Sequence, residues 1–165
     1  MLTQERLKEL LSYDPETGLF TWKTRTAKCI HVGDIAGYFN NKGYNVIVLL
    51  NESYLAHRLA WLYMTGLNTE FQIDHINNIK SDNRFINLRE ATNAENIRNQ
   101  GFRSTNKSGY IGVSKNKKVN KWVAQCCLNG KNYNLGYFEN AYDAAIAYQN
   151  FAKKHHGEFY FQVVL

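Results

Sequence analysis

The chain is 165 residues long, with 44% hydrophobic residues, 14% aromatic residues and a formal net charge of +6. This apolar content excludes an intrinsically disordered chain, and the length allows one ordinary domain or two small ones. No apolar run approaches the roughly 20 residues that a membrane-spanning helix needs.

The first 66 residues carry signals for two helices and several short strands. A leucine repeat at helical spacing follows Thr3, which predicts a helix with Thr3 as its N-cap. The turn sequence DPETG precedes a short strand, GLFTWK, and residues 24–36 are predicted to form a loop. YNVIVLLNESYLAH predicts a β-hairpin, and AHRLAWLYMTG predicts a helix that ends at Gly66.

From residue 71 onwards the pattern is strand, polar loop, strand and helix. FQIDHI and NLREAT are the predicted strands, and NAENIRNQ is a short helix with Asn93 as its cap. Seven asparagines lie between residues 73 and 99. Asparagine is unfavourable inside strands and helices, so this run is either a polar surface loop or a set of side chains with specific roles.

GFRSTNKSG (101–109) is polar and has no periodicity, which predicts a linker. We therefore expect one domain over 1–100, a linker over 101–107 and a second domain over 108–165. YIGVSKN, KWVAQCCLNG and KNYNLGYF predict three short strands, with a hairpin turn at Asn129-Gly130. A helix capped by Asn140 follows, and its apolar stripe is predicted to face the core. The stripe comprises Ala141, Ala144, Ala145, Tyr148, Phe151 and Ala152.

The three cysteines form no C-x-x-C pair, and the stretch MLTQERLKELL has no apolar signal core. We therefore expect a reduced, cytoplasmic protein. The sequence leaves the oligomeric state open, with a monomer favoured. His155 and His156, at the end of the last helix, are expected in solvent.

The Asp74-His75 pair offers the chemistry of phosphodiester hydrolysis. A neutral histidine is a natural general base near pH 7. The Asp74 carboxylate and the Asn96 carbonyl are hard oxygen donors, and so sparse a set leaves a Mg²⁺ ion room for water and phosphate. The alternative for an Asp-His pair is an ordinary hydrogen-bonded turn.

The strings DHINNIKSDN (74–83), NLR (87–89) and NAEN (93–96), preceded by AHRLAW (56–61), resemble the H-N-H motif of ββα-metal nucleases. The likeness is to the intron-encoded and phage-type branch of the homing endonucleases, and it covers roughly 1–100. It implies that Asp74 and Asn96 bind the metal, that His75 is the general base, and that Asn87 orients the loop and the histidine. The implied metal is Mg²⁺, with Mn²⁺ as a second choice and zinc excluded.

This chain departs from the H-N-H pattern in two places. Asn96 stands where many relatives carry His, which leaves the metal preference open, and Asn78 stands where relatives often have Gly. His57 is expected to be structural, and Asp82 and Asn83 to shape the loop. Four arginines could each either contact phosphate or simply be solvated at the surface: Arg58, Arg84, Arg89 and Arg98.

The positive charge is concentrated in the last 65 residues. Residues 1–100 carry eleven Lys/Arg and eleven Asp/Glu, whereas residues 101–165 carry nine and three. Such clustering suits a DNA phosphate backbone, although a solvated charged surface is the alternative. The predicted DNA-binding residues are Lys107, Lys115, Lys117, Lys118, Lys121, Trp122, Gln125 and Lys131.

The pattern SGYIGV (108–113), KWVA (121–124), LGYF (135–138) and AYDAAIAY (141–148) resembles the plant ethylene-response-factor, or Apetala-type, DNA-binding domain. That resemblance implies a three-stranded sheet that reads double-stranded DNA and is backed by one helix. Ser114 and Asn134 occupy positions where the plant domains use Arg and Trp, so the plant target sequence does not carry over.

Together these features predict an α+β chain in which a ββα-metal nuclease domain precedes a small three-stranded antiparallel sheet packed on one helix. The expected function is a site-specific homing endonuclease, and a phage gene acting in a bacterial host is one origin that suits it. The alternatives are a non-catalytic DNA-binding regulator with a degenerate nuclease domain, and a nicking or restriction-type nuclease without a role in intron mobility.

Overall fold

The computed structural model describes residues 2–99 and 106–157. Within these ranges the chain has four α-helices and ten strands, and the strands form four small antiparallel sheets. The predicted α+β class is therefore confirmed. None of the helices in the described ranges has the length and apolarity to cross a membrane.

Two compact units divide the chain, Met1–Thr92 and Asn93–Leu165. Residues 101–105 of the predicted linker lie outside the described residues, so the predicted domain boundary stays a prediction.

The first unit contains two helices, seven strands and one turn of 3₁₀ helix at Phe85–Asn87. Its elements are α1 (Gln4–Leu10), β1 (Leu11–Asp14), β2 (Leu19–Trp22), β3 (Tyr38–Phe39), β4 (Asn45–Leu49), β5 (Glu52–Leu55), α2 (Ala56–Thr65), β6 (Gln72–His75) and β7 (Leu88–Ala91). The sheets are the pair β1-β2, the triplet β3-β4-β5 and the pair β6-β7.

The predicted helix ends in this unit are confirmed. The Thr3 hydroxyl accepts a hydrogen bond from the Arg6 amide, which satisfies one donor of the first turn of α1. Gly66 ends α2 in the left-handed conformation, with φ of 73°. The pattern did not predict β1, which follows α1 directly, or the two-residue strand β3.

One hydrophobic core joins the elements of the first unit. Its fully buried members include Leu7 of α1, Leu11 of β1, Ile47 of β4 and Leu59 of α2. Ile73 of β6 belongs to the same core, which holds the β6-β7 pair against the rest of the unit.

The second unit contains α3 (Asn93–Asn99), β8 (Val113–Asn116), β9 (Lys121–Leu128), β10 (Lys131–Phe138) and α4 (Ala141–His156). The strand order is β10-β9-β8, all antiparallel. Asn129 and Gly130, both with positive φ, make the β9-β10 turn as predicted. The Asn140 carboxamide caps α4 by accepting from the Asp143 amide at 2.8 Å.

Helix α4 packs on the sheet through the alanines and Tyr148 of its predicted apolar stripe. Ala144, Ala145 and Ala152 are buried, and Ala124 and Trp122 of β9 pack in the same core. Strand alternation then turns Gln125 to the opposite face of the sheet, where it is exposed.

His156 corrects one expectation. It is 6% exposed rather than solvated, and its Nε2 lies 3.5 Å from the Cys126 sulfur. Burial lowers the pKa of His156 and raises that of Cys126. His155 is exposed, as predicted.

Candidate active site

Asp74 and His75 lie at the end of β6, and the chain leaves the strand immediately after the histidine. In the β6-β7 register, Asp74 stands opposite Arg89 and His75 opposite Leu88. Asp74 is buried, and its Oδ2 accepts hydrogen bonds from Arg89 Nε at 3.1 Å and Nη2 at 3.0 Å. Arg89 therefore pairs with the site carboxylate, a contact that neither of its two predicted roles included.

His75 is enclosed by two rings and a carboxamide. The ring of His57, from α2, meets it edge-on with a centroid separation of 4.8 Å, and Tyr44 lies 6.2 Å away. The Nε2 atom of His75 is 3.2 Å from Oδ1 of Asn83. His75 is only 5% exposed, so these neighbours determine where its ring can sit.

Burial shifts the pKa of both histidines downwards. For His75 the chief cause is desolvation, opposed by the Asn83 hydrogen bond and by the negative charges of Asp74 and Asp82. For His57, burial lowers the pKa to about 3, with smaller contributions from His75 and Arg58. Both rings are therefore neutral near pH 7, the state in which an imidazole can accept a proton.

The loop that follows His75, residues 76–84, is braced by Asn87. The Asn87 side chain accepts from the Asn77 amide at 3.0 Å, and it donates to the Asp82 carbonyl at 2.8 Å and to the Asn77 side chain at 3.0 Å. The predicted role of Asn87 in orienting the loop fits these bonds, but the carboxamide that faces His75 Nε2 belongs to Asn83.

Asp82 and Arg84 form a fork-like pair inside this loop. Arg84 Nε and Nη2 donate to the two carboxylate oxygens at 2.7 and 2.6 Å, and these bonds lower the Asp82 pKa to about 2. Arg58 donates to the carbonyls of Thr69 and Phe71. Arg58 and Arg84, for which the sequence allowed either phosphate contact or solvation, thus have partners within the first unit.

The donor chemistry of the predicted metal ligands fits Mg²⁺ or Mn²⁺. Asp74 offers a buried carboxylate whose Oδ2 is already paired with the Arg89 guanidinium. Asn96, which is half-buried on α3, offers a carboxamide oxygen. Oxygen donors suit these ions, whereas zinc prefers nitrogen and sulfur. Among residues 2–99 and 106–157, no group of three or more His, Cys, Asp or Glu side chains could hold a metal ion.

The predicted DNA-binding residues divide between two environments in the second unit. Those with exposed side chains are Lys107, Lys115, Lys117, Lys118, Gln125 and Lys131. Lys121 is half-buried and pairs with Glu139 at 2.8 Å. Trp122 packs in the core beneath α4, with Lys115 Nζ 5.2 Å from its ring centre. Packing therefore accounts for a tryptophan at position 122. Its predicted contact with DNA stays a prediction.

The sequence did not predict the contact of Asn83 with the site histidine, whereas the structural role expected for His57 agrees with its packing against His75. The string AHRLAW already placed His57 in the motif, so that signal was available. The sequence predicted that Asn83 helps to shape the loop, but not that its carboxamide meets His75, because that contact depends on the path of the loop.

Residues 54–98 match a family model described as HNH endonuclease. This range runs from β5 to α3 and contains Asp74, His75, Asn87 and Asn96. The match covers about a quarter of the chain, and it supports a DNA nuclease, a hydrolase that acts on DNA.

A solved structure described as DNA binding and cleavage by the HNH homing endonuclease I-HmuI is similar to this chain. The similarity has 24% identity and a TM-score of 0.43, and it covers 55% of this chain and 51% of that one. The alignment therefore spans about half of the solved protein. A comparison with curated protein sequences gave no match.

Proposed function

We propose that this protein is a site-specific DNA endonuclease of the homing type, which hydrolyses a phosphodiester bond with His75 as the general base. The observation that carries the proposal is a buried, neutral histidine beside Asp74, within the segment that matches the HNH endonuclease family. A neutral imidazole in such a site can take a proton from an attacking water.

The other site residues would support that proton transfer by fixing the loop beside the histidine and by binding a metal ion. Asn87 keeps the 76–84 loop folded, so the histidine retains its position at the end of β6. Asp74 and Asn96 would hold a Mg²⁺ ion, with Mn²⁺ as a substitute, and a bound ion would stabilise the negative charge that develops on the phosphate and the leaving oxygen.

The second unit would hold the enzyme on its target. Exposed lysines near the β8-β9 turn supply positive charge for phosphates, and the sheet face opposite α4 presents Ser114, Gln125 and Asn134. Polar side chains on such a ribbon can reach base edges in the major groove. A tethered module of this kind raises the effective concentration of the active site at the target.

A non-catalytic DNA-binding regulator is the second candidate, since the fold of the second unit would serve it equally. The retention of Asp74, His75, Asn87 and Asn96 favours the nuclease. A nicking or restriction-type enzyme without intron mobility would use the same site.

The test compares wild-type protein, His75→Ala and His31→Ala on plasmid and bacterial host DNA, with Mg²⁺ or with a chelator. His31 is an exposed histidine outside the site, so it controls for the loss of a ring in general. We expect metal-dependent cutting by the wild type and by His31→Ala, and loss of cutting with retained binding in His75→Ala.

Equal cutting by His75→Ala would remove His75 as the base. Binding without cutting, on any DNA and with either Mg²⁺ or Mn²⁺, would favour the regulator.

A further inference from the structure

Asn83 is among the most buried polar side chains of the first unit and lies against the site histidine. It is 3% exposed, and its Oδ1 is 3.2 Å from His75 Nε2. A carboxamide oxygen can only accept a hydrogen bond, so this contact is favourable only when Nε2 carries a proton. The other tautomer would set the Nε2 lone pair against an oxygen lone pair in a buried site.

We propose that Asn83 is a positioning residue that holds His75 as the Nε2–H tautomer, so that Nδ1 is the atom that receives the proton from water. A neutral imidazole carries one N–H, and the hydrogen bond made by one nitrogen decides which nitrogen is basic. The role in cleavage rests on the proposed function, whereas the tautomer itself does not.

The backbone of Asn83 is held by β1 and the turn that follows it, which lie far from Asn83 in sequence. The buried Tyr13 hydroxyl donates to the Asn83 carbonyl at 2.7 Å. Next to it, the Phe85 amide donates to the Pro15 carbonyl at 3.2 Å. Bonds on both sides of Arg84 thus fix the chain from which the Asn83 carboxamide projects.

The approach of this turn is close enough to require a glycine. Gly18 has φ of 73°, and a Cβ there would lie 2.5 Å from the Asn83 carbonyl carbon and from the Arg84 nitrogen. The N-terminal hairpin therefore seats directly on the segment that carries Asn83, and His57 and Tyr44 hold the His75 ring from other sides. Together these contacts leave the carboxamide and the imidazole little freedom to separate.

The tautomer can be read from the nitrogen resonances of the histidine rings. Full-length protein labelled with ¹⁵N-histidine would be recorded at pH 8, and the His75 signals would be assigned by their loss in His75→Gln. We expect Nε2 to resonate as a protonated, pyrrole-type nitrogen and Nδ1 as an unprotonated, pyridine-type nitrogen.

Two variants test whether Asn83 is the cause. Asn83→Leu removes the acceptor at similar size, and we expect both His75 nitrogens to move towards averaged values and the cleavage rate to fall roughly 10- to 100-fold. Asn83→Asp keeps an acceptor oxygen, so we expect it to retain the Nε2–H pattern. The wild-type spectrum decides the tautomer even if Asn83→Leu fails to fold.

A wild-type spectrum with the proton on Nδ1, or an unchanged His75 pattern in folded Asn83→Leu, would overturn the role of Asn83. Cutting by that same protein would leave the nuclease standing. The reverse result, an Nε2–H pattern in a protein that cuts no DNA, would support the Asn83 contact and overturn the nuclease.

Discussion

Burial acts on His57 and His75 in the same direction but with different consequences. His75 has the Asn83 carboxamide at Nε2, whereas the buried Nδ1 of His57 has no hydrogen-bond partner among the described residues. A buried polar atom without a partner lowers stability, so His57 is held in place by packing rather than by hydrogen bonds through Nδ1. Its ring keeps His75 in place at a cost to the stability of the fold.

This cost predicts a pH dependence of stability that His57 dominates. Its pKa is about 6.5 in the unfolded chain and about 3 when folded. Between these values the unfolded chain binds the extra proton, so stability falls as the pH drops from 6.5 towards 3. We expect a loss of about 1 kcal/mol of unfolding free energy per pH unit below pH 6.

Urea unfolding of the wild type and of His57→Phe, between pH 8 and pH 4.5, measures this term. The Phe variant keeps a ring against His75 and Tyr44 but cannot bind a proton, so its stability should fall less steeply. The difference between the two proteins should be constant above pH 7. Parallel curves throughout would show that His57 is not the group responsible.

The hairpin β1-β2 is the element that links the N-terminus of the first unit to the site loop. Tyr13 reaches the Asn83 carbonyl, and the Gly18 turn leaves no room for a Cβ against Asn83 and Arg84. Gly18 and Gly33 both have a positive φ, but their surroundings differ. Gly33 has φ of 94° and open space within 4 Å of where a Cβ would lie, so it isolates the backbone cost from the steric one.

Replacing each of these glycines by alanine tests the contact between hairpin and loop. Gly33→Ala should lower the unfolding free energy by about 1 kcal/mol, from backbone strain alone. Gly18→Ala should lower it by at least about 1 kcal/mol more, because backbone atoms cannot rotate away from the new methyl group. Urea unfolding and the cleavage rate, measured together, should show impaired cutting only in Gly18→Ala. Equal effects of the two changes on both measurements would contradict the contact.

Local signals predicted most elements, and long-range contacts account for what was missed. The caps Thr3, Gly66 and Asn140 and the Asn129-Gly130 turn depend on neighbouring residues, so the pattern predicted them correctly. Strand β3 is two residues long and exists only because β4 pairs with it. The same contrast holds for the site. Asp74 and His75 are adjacent in sequence and were predicted together, whereas the contact of Asn83 depends on the distant β1-β2 hairpin.

At the scale of the whole chain, charge separates the two units more clearly than any motif does. The excess of Lys and Arg lies in the last 65 residues, and several of these lysines are exposed around the β8-β9 turn. Phosphate contacts release counterions, so an affinity carried by lysines should fall steeply with salt. Lys117 and Lys118 lie in that turn, whereas Lys153 and Lys154 lie near the C-terminal end of α4.

A pair of double variants of the full chain tests which lysines meet DNA. Lys117→Ala with Lys118→Ala should reduce the slope of log affinity against log salt by about 2, close to one for each phosphate that is no longer neutralised. Lys153→Ala with Lys154→Ala removes the same charge and should leave the slope unchanged. Equal changes in both would indicate a general charge effect and not a DNA-binding face.

His75 is proposed to perform the chemistry of cutting and not the binding of DNA. The most direct measurement is the single-turnover cleavage rate of wild type and His75→Ala at saturating protein, with Mg²⁺, after DNA affinity has been measured for each. We expect equal affinity within a few-fold and a rate that falls by roughly 10²- to 10⁴-fold in the variant. A variant that binds equally well and still cuts at the wild-type rate would contradict this role of His75.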